Sequence, residues 1–195
     1  MKNTKIPELK PGDIILSRSG TWLSKAIRWV TALQSGSAEY THAAAMLSKG
    51  LCIEALWEIT VTDVKKYQSQ AIQVWRLPLS EKDRRSFERG MLQLAGGNYG
   101  LFKLPLFALD AFSTQIGKLF GAKQPCYWFT KTFNLTNLPV CSQLVVYGIH
   151  KFTDYDFLDE QGIVVDWRTV SPDRLQDLLK LPINKAVMVL EQATN

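Results

Sequence analysis

Cys141, His42 and a carboxylate at Glu54 or Glu58 are the residues through which this chain could make and break a covalent bond. Cys141 follows Leu138-Pro139-Val140 and opens the run to Phe152, which places it in the first turn of a predicted helix. Unpaired backbone N–H groups and the helix dipole stabilise a thiolate there, and the thiolate is the nucleophilic form. The other reading of a free cysteine is a small buried hydrophobe. Cys52 lies within a predicted strand and Cys126 within an aromatic loop, so both are read as structural. Only two histidines could serve as base. His150 comes nine residues after Cys141, which at about 100° per residue is half a turn away from the thiol. Beside Lys151 at a helix end it reads as a surface residue complementing the dipole. His42 opens the apolar run Ala43 to Leu47 and is either a hydrogen-bonded core residue or the base.

A hairpin decides which carboxylate could meet His42. Thr41 to Leu47 and Leu51 to Trp57 flank Ser48-Lys49-Gly50, a three-residue loop ending in Gly. Leu47 then faces Leu51, paired numbers sum to 98, and His42, Ala44 and Met46 share a face with Cys52, Glu54, Leu56 and Glu58. His42 is opposite Leu56, with Glu54 and Glu58 as diagonal neighbours, ~7–8 Å away at Cα. A carboxylate that orients the imidazole completes a Cys-His pair. Glu54 sits inside an apolar strand, where an unused charge would be costly. Glu58, nearer the strand end, reads as solvated.

The elements that must position these groups can be read from periodicity. Pro11-Gly12 is a turn before a short strand at Ile14-Ile15-Leu16, and Leu23 to Leu33 is a helix face ending near Gly36. Further strands are predicted at Ala71 to Leu77, Ile163-Val164-Val165 and Ala186 to Leu190. Helices are predicted after Ser80, over Leu104 to Phe120, from Cys141 to Phe152, and after Ser171-Pro172. Strands and helices mix without regular βαβ alternation, so the fold class is α+β with a mostly antiparallel sheet.

Composition limits the setting. At 195 residues the chain fits one domain, 1–195, and 46% apolar with 21% charged residues is the balance of an ordinary globular protein. The net charge of +5 comes from scattered basic residues, which argues against a nucleic-acid partner. Three cysteines at spacings of 74 and 15 suggest neither a disulfide framework nor a CxxC metal site, and fit reduced thiols in a cytoplasm. The first ten residues have no apolar run of the signal-peptide kind, and no segment reaches the ~18 apolar residues of a membrane span.

Pro11-Gly12-Asp13-Ile14-Ile15-Leu16, Tyr40-Thr41-His42, Cys52-Ile53-Glu54-Ala55, Gly97-Asn98-Tyr99-Gly100 and Val140-Cys141-Ser142-Gln143-Leu144-Val145 together resemble one family. It is that of the circularly permuted NlpC-type papain-like cysteine hydrolases, in particular the YiiX/YebB-like group. The pieces stand in the permuted order, His before acid before Cys. Gln143 stands where relatives often show Glu, and Ala43 where they often show Val or Ile. The resemblance implies a papain-like core, a small antiparallel sheet packed on the Cys-bearing helix. It also implies Cys141 as nucleophile, His42 as base, Glu54 as orienting acid and Tyr99 near the oxyanion site. Residues 102–138 match no motif and read as an elaboration roofing the cleft.

The expected reaction begins with His42 taking the proton of Cys141; the thiolate then attacks an acyl carbonyl, and water releases the thioester. The backbone N–H of Cys141 and the Tyr99 hydroxyl would meet the oxyanion. By family analogy the substrate is a peptide amide, in a cell-wall fragment for example. A lipid ester is the second choice, because permuted proteins of the lecithin:retinol acyltransferase type use the same residue order and Leu104 to Phe120 could touch a bilayer. A catalytically silent peptide-binding module on the same fold is the reading from another class. No cofactor is expected; a zinc site from His42, Cys52 and Cys141 would lack a paired ligand motif.

Overall fold

Behind the Pro11-Gly12 turn, where Gly12 adopts φ +84°, the chain enters β1 (Ile14–Arg18), near the middle of a six-stranded sheet. The computed structural model describes residues 8–18, 39–55, 58–97 and 141–193. The predicted helix over Leu23 to Leu33, the stretch 102–138, Tyr99 and Cys126 lie outside them.

The other strands are β2 (His42–Met46), β3 (Leu51–Ala55), β4 (Ile59–Asp63), β5 (Ala71–Arg76) and β6 (Val187–Gln192). Their order is β4-β3-β2-β1-β5-β6, and every pairing is antiparallel. With α1 (Glu81–Leu94), α2 (Cys141–Phe152) and α3 (Pro172–Lys180) this makes an α+β fold.

Alternation along the strands divides the core. Ile14, Leu16, Ala43, Ala45 and Ile53 join the cluster that holds Phe87 and Met91 of α1 and Leu144, Val145 and Ile149 of α2. Ile15, Ala44, Met46 and Cys52 face the other way and are covered by Tyr67. The helices start where their caps put them: Ser80 Oγ accepts from Asp83 N at 3.1 Å, and Ser171 Oγ from Arg174 N at 3.2 Å. Helices α1 and α2 touch through glycine, since a Cβ on Gly148 would overlap the Met91 sulfur and one on Gly90 the Phe152 ring.

Three expectations change. β4 is an additional strand, and β3 ends at Ala55, which pairs with Ile59 of β4. Glu58 therefore lies outside β3, is exposed, and is no diagonal neighbour of His42. Ile163-Val164-Val165 forms no sheet strand: a single bridge joins Leu158 to Val164, with Ile163 58% and Val164 50% exposed. Asp159 Oδ1 accepts from Gln161 N and Ile163 N, which folds this segment into its own turn away from the sheet edges.

Candidate active site

The hairpin positions the first pair. Ala44 pairs with Glu54, Ala45 with Ile53 and Met46 with Cys52, the expected register, so His42 and Glu54 are diagonal on one face. The loop closes through Leu47 N donating to Leu51 O at 2.8 Å, with Lys49 at φ 58° and Gly50 at φ 73°. His42 Nε2 and Glu54 Oε2 are 2.8 Å apart; the carboxylate is fully buried and the ring is 16% exposed. With Nε2 engaged, Nδ1 is the ring nitrogen left to face a reacting group.

Cys141 is the first residue of α2 and is buried. Although α2 packs on the sheet face opposite to the one His42 shares with Ala44 and Met46, its start reaches the sheet end where β2 begins. There the Cys141 thiol comes within the influence of the His42 side chain and of the Ala43 and Ser142 backbone. Burial pushes the thiol up, but the His42 charge, with hydrogen bonding from His42 and from these backbone groups, outweighs it and brings the thiol below its ordinary value. The α2 start is fastened by Ser142 Oγ donating to Val170 O at 2.7 Å and Gln143 Nε2 to Arg168 O at 2.5 Å. Both acceptors belong to the segment leading into α3.

Cys52 shows the contrast. Its sulfur rests 3.4 Å from Thr62 Oγ1, and burial pushes its thiol up. His150 lies in the last turn of α2 and pairs with Asp156 at the surface, away from Cys141.

Sequence reasoning missed three donors to Glu54. Thr62 Oγ1 donates to Oε1 at 2.9 Å, Tyr67 OH to Oε2 at 2.8 Å, and Lys66 Nζ also binds Oε1. All three come from β4 and the 3₁₀ turn Val64–Tyr67, which Asp63 caps by accepting from Lys65 N at 2.8 Å. The alternating Thr60-Val61-Thr62 was the available signal. Tyr67 also stacks on His42, with ring centroids 6.4 Å apart.

A cavity of about 630 Å³ lined by Ile59, Leu94, Leu144, Tyr147 and Trp167 runs beside α2, and none of Cys141, His42 and Glu54 lines it. No helix among the described residues is long and apolar enough to cross a membrane.

No family model matches the sequence, and no curated protein matches it. In three dimensions the chain is similar to metalloprotein YiiX from Escherichia coli O157:H7, with a TM-score of 0.59 at 15% identity, covering 94% of this chain and 98% of that one. The two share a fold. YiiX is called a metalloprotein, and the described residues of this chain do not fit a metal. Among the described residues no group of three His, Cys, Asp or Glu side chains is arranged to hold a metal ion. The Glu54 oxygens are already taken by four donors and the Cys52 sulfur rests against Thr62, which leaves, among the described residues of the site, Cys141 Sγ and one His42 nitrogen, short of the three or four ligands of a zinc site.

Proposed function

We propose that this chain is a cysteine hydrolase of the permuted NlpC-type, papain-like kind. The observation that carries the reading is the buried thiol at the start of α2, lowered by a histidine whose far nitrogen is held by a buried glutamate. The thiolate of Cys141 attacks an acyl carbonyl carbon. A thioester forms as the leaving amine takes the proton from His42. Water, deprotonated by His42, then attacks the thioester and returns the thiol. Glu54 keeps the imidazole aimed and supports its charge without accepting the proton itself. The N–H groups at the α2 start are the donors for the oxyanion, with the Tyr99 hydroxyl as a second donor by family resemblance.

The first substrate class is a peptide amide of the cell-wall type, and a lipid ester is the second. Intact mass spectrometry after incubation with cell-wall peptides and, separately, with phospholipids tests this reading and separates the two. An acyl mass on Cys141, absent from Cys141→Ala, is expected with the peptides; the same trapping with phospholipids alone moves the chain to the acyltransferase-like class. Stoichiometric metal held through Cys141 in purified protein would overturn the nucleophile.

A further inference from the structure

Glu54 has more partners than orienting an imidazole requires. One bond to His42 fixes ring and tautomer, yet the carboxylate takes four donors, divided evenly between its oxygens. Oε2 faces His42 Nε2 and Tyr67 OH, both at 2.8 Å, while Oε1 takes Thr62 Oγ1 at 2.9 Å and Lys66 Nζ. Lys66 is the one donor of the four whose positive charge does not depend on the proton of His42. A lysine kept for solubility would point into water. This one lies over the Tyr67 ring, 5.1 Å from its centroid, with its side chain one-third exposed, and burial pulls its pKa below the ordinary lysine value.

We propose that Lys66 is a positioning residue of the Cys141–His42–Glu54 centre, holding Glu54 ionised and locked through Oε1 so that Oε2 serves His42, and thereby governing how readily Cys141 loses its proton. The proposal rests on the hydrolase reading only in taking Cys141 as the reactive thiol.

The sign of the effect follows from charge balance. With Lys66 in place, thiolate, imidazolium, carboxylate and ammonium sum to zero. Without it, a fully buried carboxylate can take up a proton, because burial disfavours an unpaired charge. The imidazolium then loses the anion that supports it, and the thiol loses the cation that lowers it. Alternatively the carboxylate keeps its charge, and the unbalanced negative charge opposes a thiolate nearby. Both routes raise the pH at which Cys141 ionises. Among the described residues, Glu54 faces His42 from β2, Thr62 from β4, and Lys66 and Tyr67 from the 3₁₀ turn; Cys52 is its neighbour two positions along β3, and Cys141 of α2 is reached through His42. Cys52 is neutral near pH 7, with its thiol pushed up by burial. Lys66 is not among the groups acting directly on Cys141, so its influence runs through Glu54 and His42.

The test needs no substrate. Rates of Cys141 alkylation by iodoacetamide are measured against pH, by peptide mapping, for the full chain and for Lys66→Met and Lys66→Arg, with folding checked by circular dichroism. Lys66→Met should move the midpoint up by about one pH unit or more, which is roughly tenfold slower alkylation at the wild-type midpoint. Lys66→Arg, which keeps the charge, should stay within a few tenths of a unit of wild type. A folded Lys66→Met protein with an unmoved midpoint overturns the proposal and leaves the nucleophile standing. A wild-type Cys141 that alkylates no faster than Cys52 overturns the hydrolase reading instead. If Lys66→Met does not fold, Lys66→Arg decides. A folded protein with the wild-type midpoint supports the role of charge, and one that fails to fold or loses the midpoint assigns Lys66 to packing and overturns the proposal.

Discussion

Asp13 and Glu54 are both fully buried carboxylates beside the same sheet, yet their surroundings differ in kind. Asp13, at the entrance to β1, meets Arg76 through Nη2 at 2.6 Å and Nε at 2.9 Å, with Arg84 Nη1 at 3.5 Å and the Lys10 N–H at 2.9 Å. Guanidinium groups keep their protons at any pH the fold survives, and the hydrogen bonds Arg76 donates to Asp13 push it higher still. Glu54 is held by an imidazole, an ammonium, a phenol and a hydroxyl; burial pushes the Tyr67 phenol far up, so it keeps its proton, but pulls the Lys66 ammonium below its ordinary value. Burying either charge carries a similar desolvation cost. Only the second arrangement can register the arrival or loss of a proton, so the first is a fastening and the second suits the proposed chemistry.

The largest effect that would break this comparison is expected at Glu54. Glu54→Gln should cut turnover by about 10²–10⁴-fold, because the imidazole loses the anion that orients and supports it; kcat on the trapped substrate, with circular dichroism as control, measures this. An active Glu54→Gln enzyme would make both carboxylates fastenings. Asp13→Asn should show the opposite pattern. It leaves two arginines without their anion and should cost about 3–5 kcal/mol in a urea titration, while the folded fraction keeps its Cys141 alkylation rate.

A third buried carboxylate sharpens the contrast by having no cationic partner among the groups that shift it. Asp173, in the first turn of α3, accepts from Glu39 N at 3.1 Å through Oδ1, while its Oδ2 meets no donor among the described residues. Burial, with Asp177 and Glu39 adding to it, raises its pKa from 3.8 to about 6. The native state therefore binds a proton more tightly than the unfolded chain does. The stabilisation from this group is complete below pH 3.8 and is lost as pH rises through about 6. Asp173→Asn should thus raise stability at pH 7.5 by about 1–3 kcal/mol and change it little at pH 4, as thermal melts at the two pH values would show. No gain at pH 7.5 would mean that the carboxylate has a stabilising partner at that pH. The smallest effect is expected at exposed Glu58: Glu58→Gln should leave kcat unchanged and stability within about 0.5 kcal/mol.

What could be read from the sequence followed how local each signal is. The diagonal between His42 and Glu54 was legible because a three-residue loop fixes the register of a hairpin, and only sequence neighbours take part. The positions of Cys141 and of the Ser80 and Ser171 caps were legible for the same reason. β4 was not, since its alternation runs over only five residues, is partly exposed, and follows closely on the apolar run read as one strand from Leu51 to Trp57. Thr62, Lys66 and Tyr67 went unseen with it, because their approach to Glu54 depends on the β3–β4 register. The run Ile163-Val164-Val165 misled in the other direction: an apolar triplet says nothing of whether a sheet edge is there to receive it. The contact between the Cys141 thiol and His42 joins two distant parts of the chain, and only the order of the family motifs anticipated it.

The Ser48-Lys49-Gly50 loop contributes no side chain to the site, yet it constrains what the gene can tolerate. Lys49 and Gly50 have left-handed backbone, so Asn or Gly at either position should be accepted with little consequence. Length is another matter. An insertion or deletion of one residue would reverse the facing of β3, aiming Glu54 at the helices and Ile53 at His42. The loop is thus free in its letters and fixed in its count, and a tag or epitope inserted there would undo the His42–Glu54 pairing without touching either residue.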